Sequence, residues 1–169
     1  KKELPKELIP NWNIVYTGVG KINASFAISK AFTKFKPKVF INYGTAGTLN
    51  DSLSGLLKVT KFEQRDMDVT GLGFKIGETP FENLSTIRTS GKGFSCSTGD
   101  NFVTKVPVIK TDLVDMESYA YAKFCKKNNI QFYCYKFVSD NANENASKDW
   151  SKTFKIGAKE FCKQLLKYN

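Results

Sequence analysis

Apolar and polar positions change their period several times along this chain, and each change predicts an element. Trp12 to Thr17 predicts a strand, followed by Gly18-Val19-Gly20. From Lys21 to Phe35, the residues Ile22, Phe26, Ala27, Ala31 and Phe35 recur at helical spacing, and Pro37 closes the segment. Val39 to Tyr43 is a short apolar strand that runs into Gly44-Thr45-Ala46-Gly47. Leu56 to Phe62 predicts another strand. Gly71 to Ser90 carries glycine, proline and few periodic apolar positions, so it reads mostly as loop. Gly93 to Ser97 predicts a short strand leading into Thr98-Gly99-Asp100. Met116 to Lys127 predicts a helix with Met116, Ala120 and Phe124 on one face. Ile130 to Val138 has the pattern of a fully buried strand, Lys136 excepted. Lys148 to Tyr168 predicts a closing amphipathic helix with Trp150, Phe154, Ala158, Phe161 and Leu165 inward.

Strands alternating with helices imply an α/β domain with a mainly parallel sheet. Ligands of such sheets bind at the carboxyl ends of strands. Three segments stand there: Gly44 to Gly47, Thr98 to Val103, and Ser139 to Asn145. A length of 169 residues suits one domain, residues 1–169, and no internal repeat or linker divides it. No apolar run approaches the roughly 18–20 residues of a membrane span.

Composition narrows the chemistry. The chain has no histidine. A Ser-His-Asp or Cys-His nucleophile system and any histidine metal site are therefore excluded. Proton chemistry at neutral pH falls to carboxylates, lysine, cysteine or tyrosine. The net charge of +10 comes almost wholly from lysine, since Arg65 and Arg88 are the only arginines. Nucleic-acid grooves lean on arginine for bidentate contacts. The lysines are also scattered, which reads as a solvated surface and not as a nucleic-acid stripe. Cys96, Cys125, Cys134 and Cys162 form no C-x-x-C pair and sit among apolar neighbours, as free thiols in a reducing compartment do.

Three short motifs carry the candidate chemistry, and each has a bland reading beside the functional one. Gly44-Thr45-Ala46-Gly47 lets backbone amides approach a ligand, though a tight turn explains it equally, and it lacks the lysine ending of a Walker loop. Asp115-Met116-Glu117 opens a predicted helix. An acid there caps the helix, or accepts two hydrogen bonds from a vicinal diol. Ser139-Asp140 follows a buried strand, as a turn or as an acid that shares its proton with a leaving group.

The order of these motifs is more specific than any one of them. Gly18-Val19-Gly20-Lys21, Asn42-Tyr43-Gly44-Thr45-Ala46-Gly47, Asp66-Met67-Asp68-Val69-Thr70, Ser97-Thr98-Gly99-Asp100-Asn101-Phe102, Asp115-Met116-Glu117 and Ser139-Asp140 succeed one another over nearly the whole chain. The series resembles the nucleoside phosphorylase/nucleosidase superfamily, and within it most the methylthioadenosine/S-adenosylhomocysteine nucleosidases. The resemblance implies a three-layer domain with a central mixed, mainly parallel twisted sheet flanked by helices. It implies hydrolysis of the N-glycosidic bond of adenine nucleosides without cofactor or metal. By that resemblance Asp140 protonates, or hydrogen-bonds, N7 of the leaving purine, and Glu117 holds the ribose hydroxyls beside Met116. Phe102 stacks on the purine, and the Val103 backbone meets its edge. Thr45, Ala46 and Gly47 wall the nucleophilic water, and Lys136, where the family often has arginine, helps to order it.

The family's water-activating glutamate lies in a small-apolar-x-x-Glu-apolar segment after a first strand. Glu3-Leu4 fits the tail of that pattern, which places the strand before Lys1; the alternative is that Glu3 is a surface acid of the terminus. Asn42-Tyr43 stand before Gly44, where the superfamily's phosphorylases carry arginine, and neither arginine of the chain adjoins a matched site segment. Water is thus favoured over phosphate as nucleophile, with a phosphorylase or a non-catalytic nucleoside-binding protein as alternatives. The stretch between Val69 and Ser97 is shorter than in the family and lacks its helix, which leaves Phe74 and Phe81 as pocket, interface or core residues. The resemblance further implies a cytoplasmic homodimer of methionine salvage and purine metabolism. Its partner is a purine nucleoside, with neither nucleic acid nor membrane.

Overall fold

Strand β1, Val39–Thr48, runs for ten residues straight through the glycine tetrad, so the tetrad is strand and not a loop after it. The computed structural model describes residues 3–143, 149–150 and 156–168. The other strands are β2 (Leu56–Gln64), β3 (Thr86–Arg88), β4 (Phe94–Thr98), β5 (Leu113–Asp115) and β6 (Gln131–Asp140). They form one mixed sheet in the order β3-β2-β4-β5-β1-β6, and β2 also pairs with β6. The pairs β1–β6, β2–β4 and β4–β5 are parallel, while β1–β5, β2–β3 and β2–β6 are antiparallel. The expected mixed sheet with flanking helices is thus present.

Helices α1 (Lys21–Phe35) and α2 (Ser118–Lys127) pack on one face of the sheet. Their Ala24, Ile28, Tyr119, Ala122 and Cys125 meet Val59, Phe62, Cys96, Leu113 and Cys134 in the main core. Helix α3 (Gly157–Leu165) covers the other face. There Ala158, Phe161 and Leu165 pack with Leu4, Ile9 and Tyr135. Cys96, Cys125 and Cys134 are buried free thiols, and Cys162 is half-buried. No helix among the described residues is long and apolar enough to cross a membrane.

Four expectations need correction. Residues Trp12 to Thr17 form no strand, because no neighbouring strand accepts their backbone; the side chains of Trp12 and Ile14 pack beside α3 instead. Helix α1 buries Ala24, Ile28 and Ala31, and leaves Ile22 at 82% and Phe26 at 63% exposure. The inward stripe is Ala24, Ile28 and Ala31, at i, i+4 and i+7, and Ile22 and Phe26 fall outside it. Strands β3 and β5 lie where the pattern predicts none. Each is three residues long, too short for a period to show. The helix after β5 begins at Ser118 and not at Met116. Within the predicted closing helix, residues 148 and 151–155, with Phe154, lie outside the described residues, as do residues 144 and 145 of the third site segment.

Candidate active site

The parallel pair β1–β6 brings two carboxyl-terminal strand ends side by side, with those of β4 and β5 close by. A cavity of about 630 Å³ opens over them, within the size range of ligand sites. Its lining includes all of Glu3, Thr45, Ala46, Gly47, Phe102, Val103, Met116, Glu117, Lys136 and Asp140.

Glu3 sits at one end of the tetrad. Its Oε1 accepts hydrogen bonds from the Thr45 amide at 3.2 Å and from the Thr45 hydroxyl at 2.6 Å. The indole of Trp150 donates to that same hydroxyl at 2.8 Å. A Cβ placed on Gly44 would lie 3.9 Å from Glu3 Oε2 and 3.3 Å from Lys136 Nζ, so carboxylate and ammonium both hang over Gly44.

Asp140 sits at the other end. In the β1–β6 register Ala46 pairs with Val138 but Gly47 pairs with Asp140, so Ser139 is the extra residue of a bulge. Bulges re-aim the side chains that follow them, and this one brings Asp140 beside Gly47. A Cβ on Gly47 would lie 2.6 Å from Asp140 Oδ1, so only glycine leaves room. The Ala142 amide donates to Oδ1 at 3.0 Å, and Ser139 Oγ donates to Oδ2 at 2.8 Å.

Glu117 accepts a hydrogen bond from the Gly20 amide at 2.8 Å. Gly20 reaches it with φ 91°, a conformation that favours glycine. Burial, and then the neighbouring Asp115 charge, push the Glu117 carboxyl up to about 7, against the pull of Lys136 and the Gly20 amide.

Beneath Glu117 lies a buried ion pair. Lys136 Nζ is 2.8 Å from Asp115 Oδ2, and both side chains are almost wholly inaccessible. Burial opposes both charges, yet each holds the other ionised: Asp115 stays below the ordinary carboxylate range and Lys136 well above the ordinary ammonium value. The Thr98 hydroxyl donates to Asp115 Oδ1 at 2.5 Å, and the Ser118 amide donates to Oδ2 at 2.9 Å. The helix-capping acid is therefore Asp115, and Glu117 is left to face the cavity.

Phe102 stands half exposed at the rim, while Val103 is buried against Val114 and Ala142. Arg65 holds this rim in place. Its guanidinium donates to the carbonyls of Ser97, Gly99, Asn101 and Asp115 at 2.6–3.1 Å. The expectation that neither arginine adjoins a matched segment is thus wrong for Arg65, because β2–β4 pairing puts it under Thr98 to Phe102. Lys21, at the start of α1, is bonded to both Asp66 oxygens at 2.5 Å and lies 3.6 Å from Asp100. Phe74 and Phe81 do not line the cavity; they meet edge to face, and Phe81 is 99% exposed. Among the described residues no group of three or more His, Cys, Asp and Glu side chains could hold a metal ion.

Sequence reasoning missed Arg65 and Trp150 as site residues, and it left open which acid of Asp115-Met116-Glu117 caps the helix. Arg65 directly precedes Asp66-Met67-Asp68, which was a usable signal. Trp150 carried none, because its indole reaches Thr45 across 105 positions.

This fold and cavity define a protein of the phosphorylase class: a model of the Phosphorylase superfamily matches residues 85–168. Among curated relatives, the 5'-methylthioadenosine/S-adenosylhomocysteine nucleosidase of Staphylococcus haemolyticus is 31% identical over 159 aligned residues, covering 79% of this chain and 70% of the relative. That of Staphylococcus carnosus is 31% identical over 170, covering 84% and 75%. The chain belongs to this nucleosidase family. A Helicobacter pylori nucleosidase solved with 5'-methylthioadenosine in its active site superposes with a TM-score of 0.83 at 23% identity, covering 91% of this chain and 79% of the other. Futalosine hydrolase of the same organism gives 0.82 at 22%, covering 89% and 76%. These two likenesses speak for the fold.

Proposed function

We propose that the protein hydrolyses the N-glycosidic bond of adenine nucleosides of the methylthioadenosine/S-adenosylhomocysteine type, releasing adenine and the ribose moiety. The observation that carries this reading is the placement of Glu3 and Asp140 at opposite ends of Gly44 to Gly47. Three strand steps separate those ends, roughly 10 Å. A carboxyl at each end suits a base that acts on a water at one side of a sugar and an acid that serves the leaving group at the other.

In this reading Asp140 gives a proton to N7 of the purine as the bond from C1' to N9 breaks, so the bond's electrons leave on neutral adenine. Water adds to C1', and Glu3 takes its proton. Glu117 accepts from the ribose hydroxyls, Met116 flanks the sugar, Phe102 stacks on the purine, and Val103 meets its edge. Lys136 and the wall of Thr45, Ala46 and Gly47 hold the water. An acid that acts chiefly in the transition state raises turnover more than affinity.

The disposition of cations supports water over phosphate as nucleophile. A phosphate dianion needs uncommitted donors. Near the cavity, Arg65 is held by four carbonyls, Lys21 by Asp66 and Lys136 by Asp115. Val19, Ile22 and Phe26, exposed around the start of α1, support a homodimer. The products would feed methionine and purine salvage in the cytoplasm.

Incubation with methylthioadenosine in phosphate-free buffer should release free adenine. Release that requires phosphate and yields a ribose 1-phosphate would instead establish a phosphorylase. Binding of adenosine with no turnover would establish a binding protein.

A further inference from the structure

The geometry points to Trp150 as a positioning residue for Glu3, acting through the Thr45 hydroxyl. This rests on the role given to Glu3 above. An indole N–H donates and does not accept, and a hydroxyl has one proton to give. Trp150 Nε1 donates to Thr45 Oγ1 at 2.8 Å, so it occupies an acceptor site of that oxygen. The Thr45 proton is thereby directed to Glu3 Oε1, 2.6 Å away. With the Thr45 amide on the same oxygen, Oε1 is held twice, and Oε2 lies over Gly44. Without the indole proton the hydroxyl is free to rotate, and the carboxylate loses the shorter of the two bonds that fix which oxygen faces the cavity. Trp150 therefore does more than supply an aromatic wall: its N–H sets the direction of a two-bond relay that ends on the base.

The test combines kinetics with a spectrum. Trp150→Phe keeps a ring and removes the N–H. It should lower kcat about tenfold with KM nearly unchanged. Thr45→Val should cost more, and Trp150→Phe should add nothing in that background, whereas it should keep its effect in Thr45→Ser. A rise in KM at constant kcat, or losses that multiply in the double variant, would overturn the relay and leave Trp150 as cavity wall. The chain has two tryptophans, so the Trp150 indole N–H signal is assignable by its loss in Trp150→Phe. That signal should move in both Thr45→Val and Glu3→Gln. A signal that stays put in either overturns the relay even if the intact protein proves to release no adenine, and a signal that moves upholds it in that same case.

Discussion

Lys136 Nζ stands 2.8 Å from Asp115 Oδ2 in the floor of the cavity, and both side chains are almost wholly buried. Each charge is tolerable there only because of the other. Lys136→Met should therefore leave Asp115 buried and unpaired and destabilise the fold by about 3–5 kcal/mol. Urea unfolding checks this through its midpoint; a loss below about 1 kcal/mol would mean that water reaches Asp115.

Gly47 and Asp140 set a second test. A methyl group on Gly47 would lie 2.6 Å from Asp140 Oδ1 and 3.2 Å from both Ala142 Cβ and Val114 Cγ2. Gly47→Ala should displace the Asp140 carboxyl and cut kcat about 100-fold, since small misplacements of reacting groups cost that much. The overpacking should cost about 1–3 kcal/mol of stability. Unchanged turnover would show that Asp140 has room to move.

Asp140→Asn separates chemistry from structure. The amide oxygen still accepts from Ala142, so the turn after β6 should persist. Turnover should fall by several orders of magnitude with modest loss of nucleoside affinity, because the proton is needed only as the bond breaks. Isothermal titration beside steady-state rates measures the two effects.

Glu117 makes the protein sensitive to pH near neutrality. Its carboxyl is raised from about 4.5 to about 7 in the folded chain, first by burial and then by Asp115. A group raised on folding favours the folded state below its unfolded value and loses that contribution as pH climbs through the folded one. Stability should thus decline between about pH 4.5 and 7 by on the order of 3 kcal/mol, and Glu117→Gln should flatten that decline. A carboxylate that accepts from a diol must be ionised, so nucleoside affinity should rise over the same window. Thermal unfolding and binding followed from pH 5 to 8 would show both trends; equal pH profiles in wild type and Glu117→Gln would remove Glu117 as their source.

Much of this protein was determined by its sequence alone. Local rules placed α1, α2, β2, β4 and β6 as elements, because the period of their apolar residues separates helix from strand, although it did not name the face that α1 buries. The ordered motifs nominated Glu3, Thr45, Phe102, Glu117, Lys136 and Asp140, which all line one cavity. The missing histidine had already left the proton chemistry to carboxylates, lysine, cysteine or tyrosine. Tertiary structure decided the rest, for reasons of distance and partner. Strands β3 and β5 exist only because neighbours accept their hydrogen bonds. Helix α1 buries Ala24, Ile28 and Ala31 against the sheet and α2, and hydrophobicity alone did not say which face that would be. Arg65, Asp115 and Trp150 gained their positions through contacts 17–105 residues away, which no local pattern encodes.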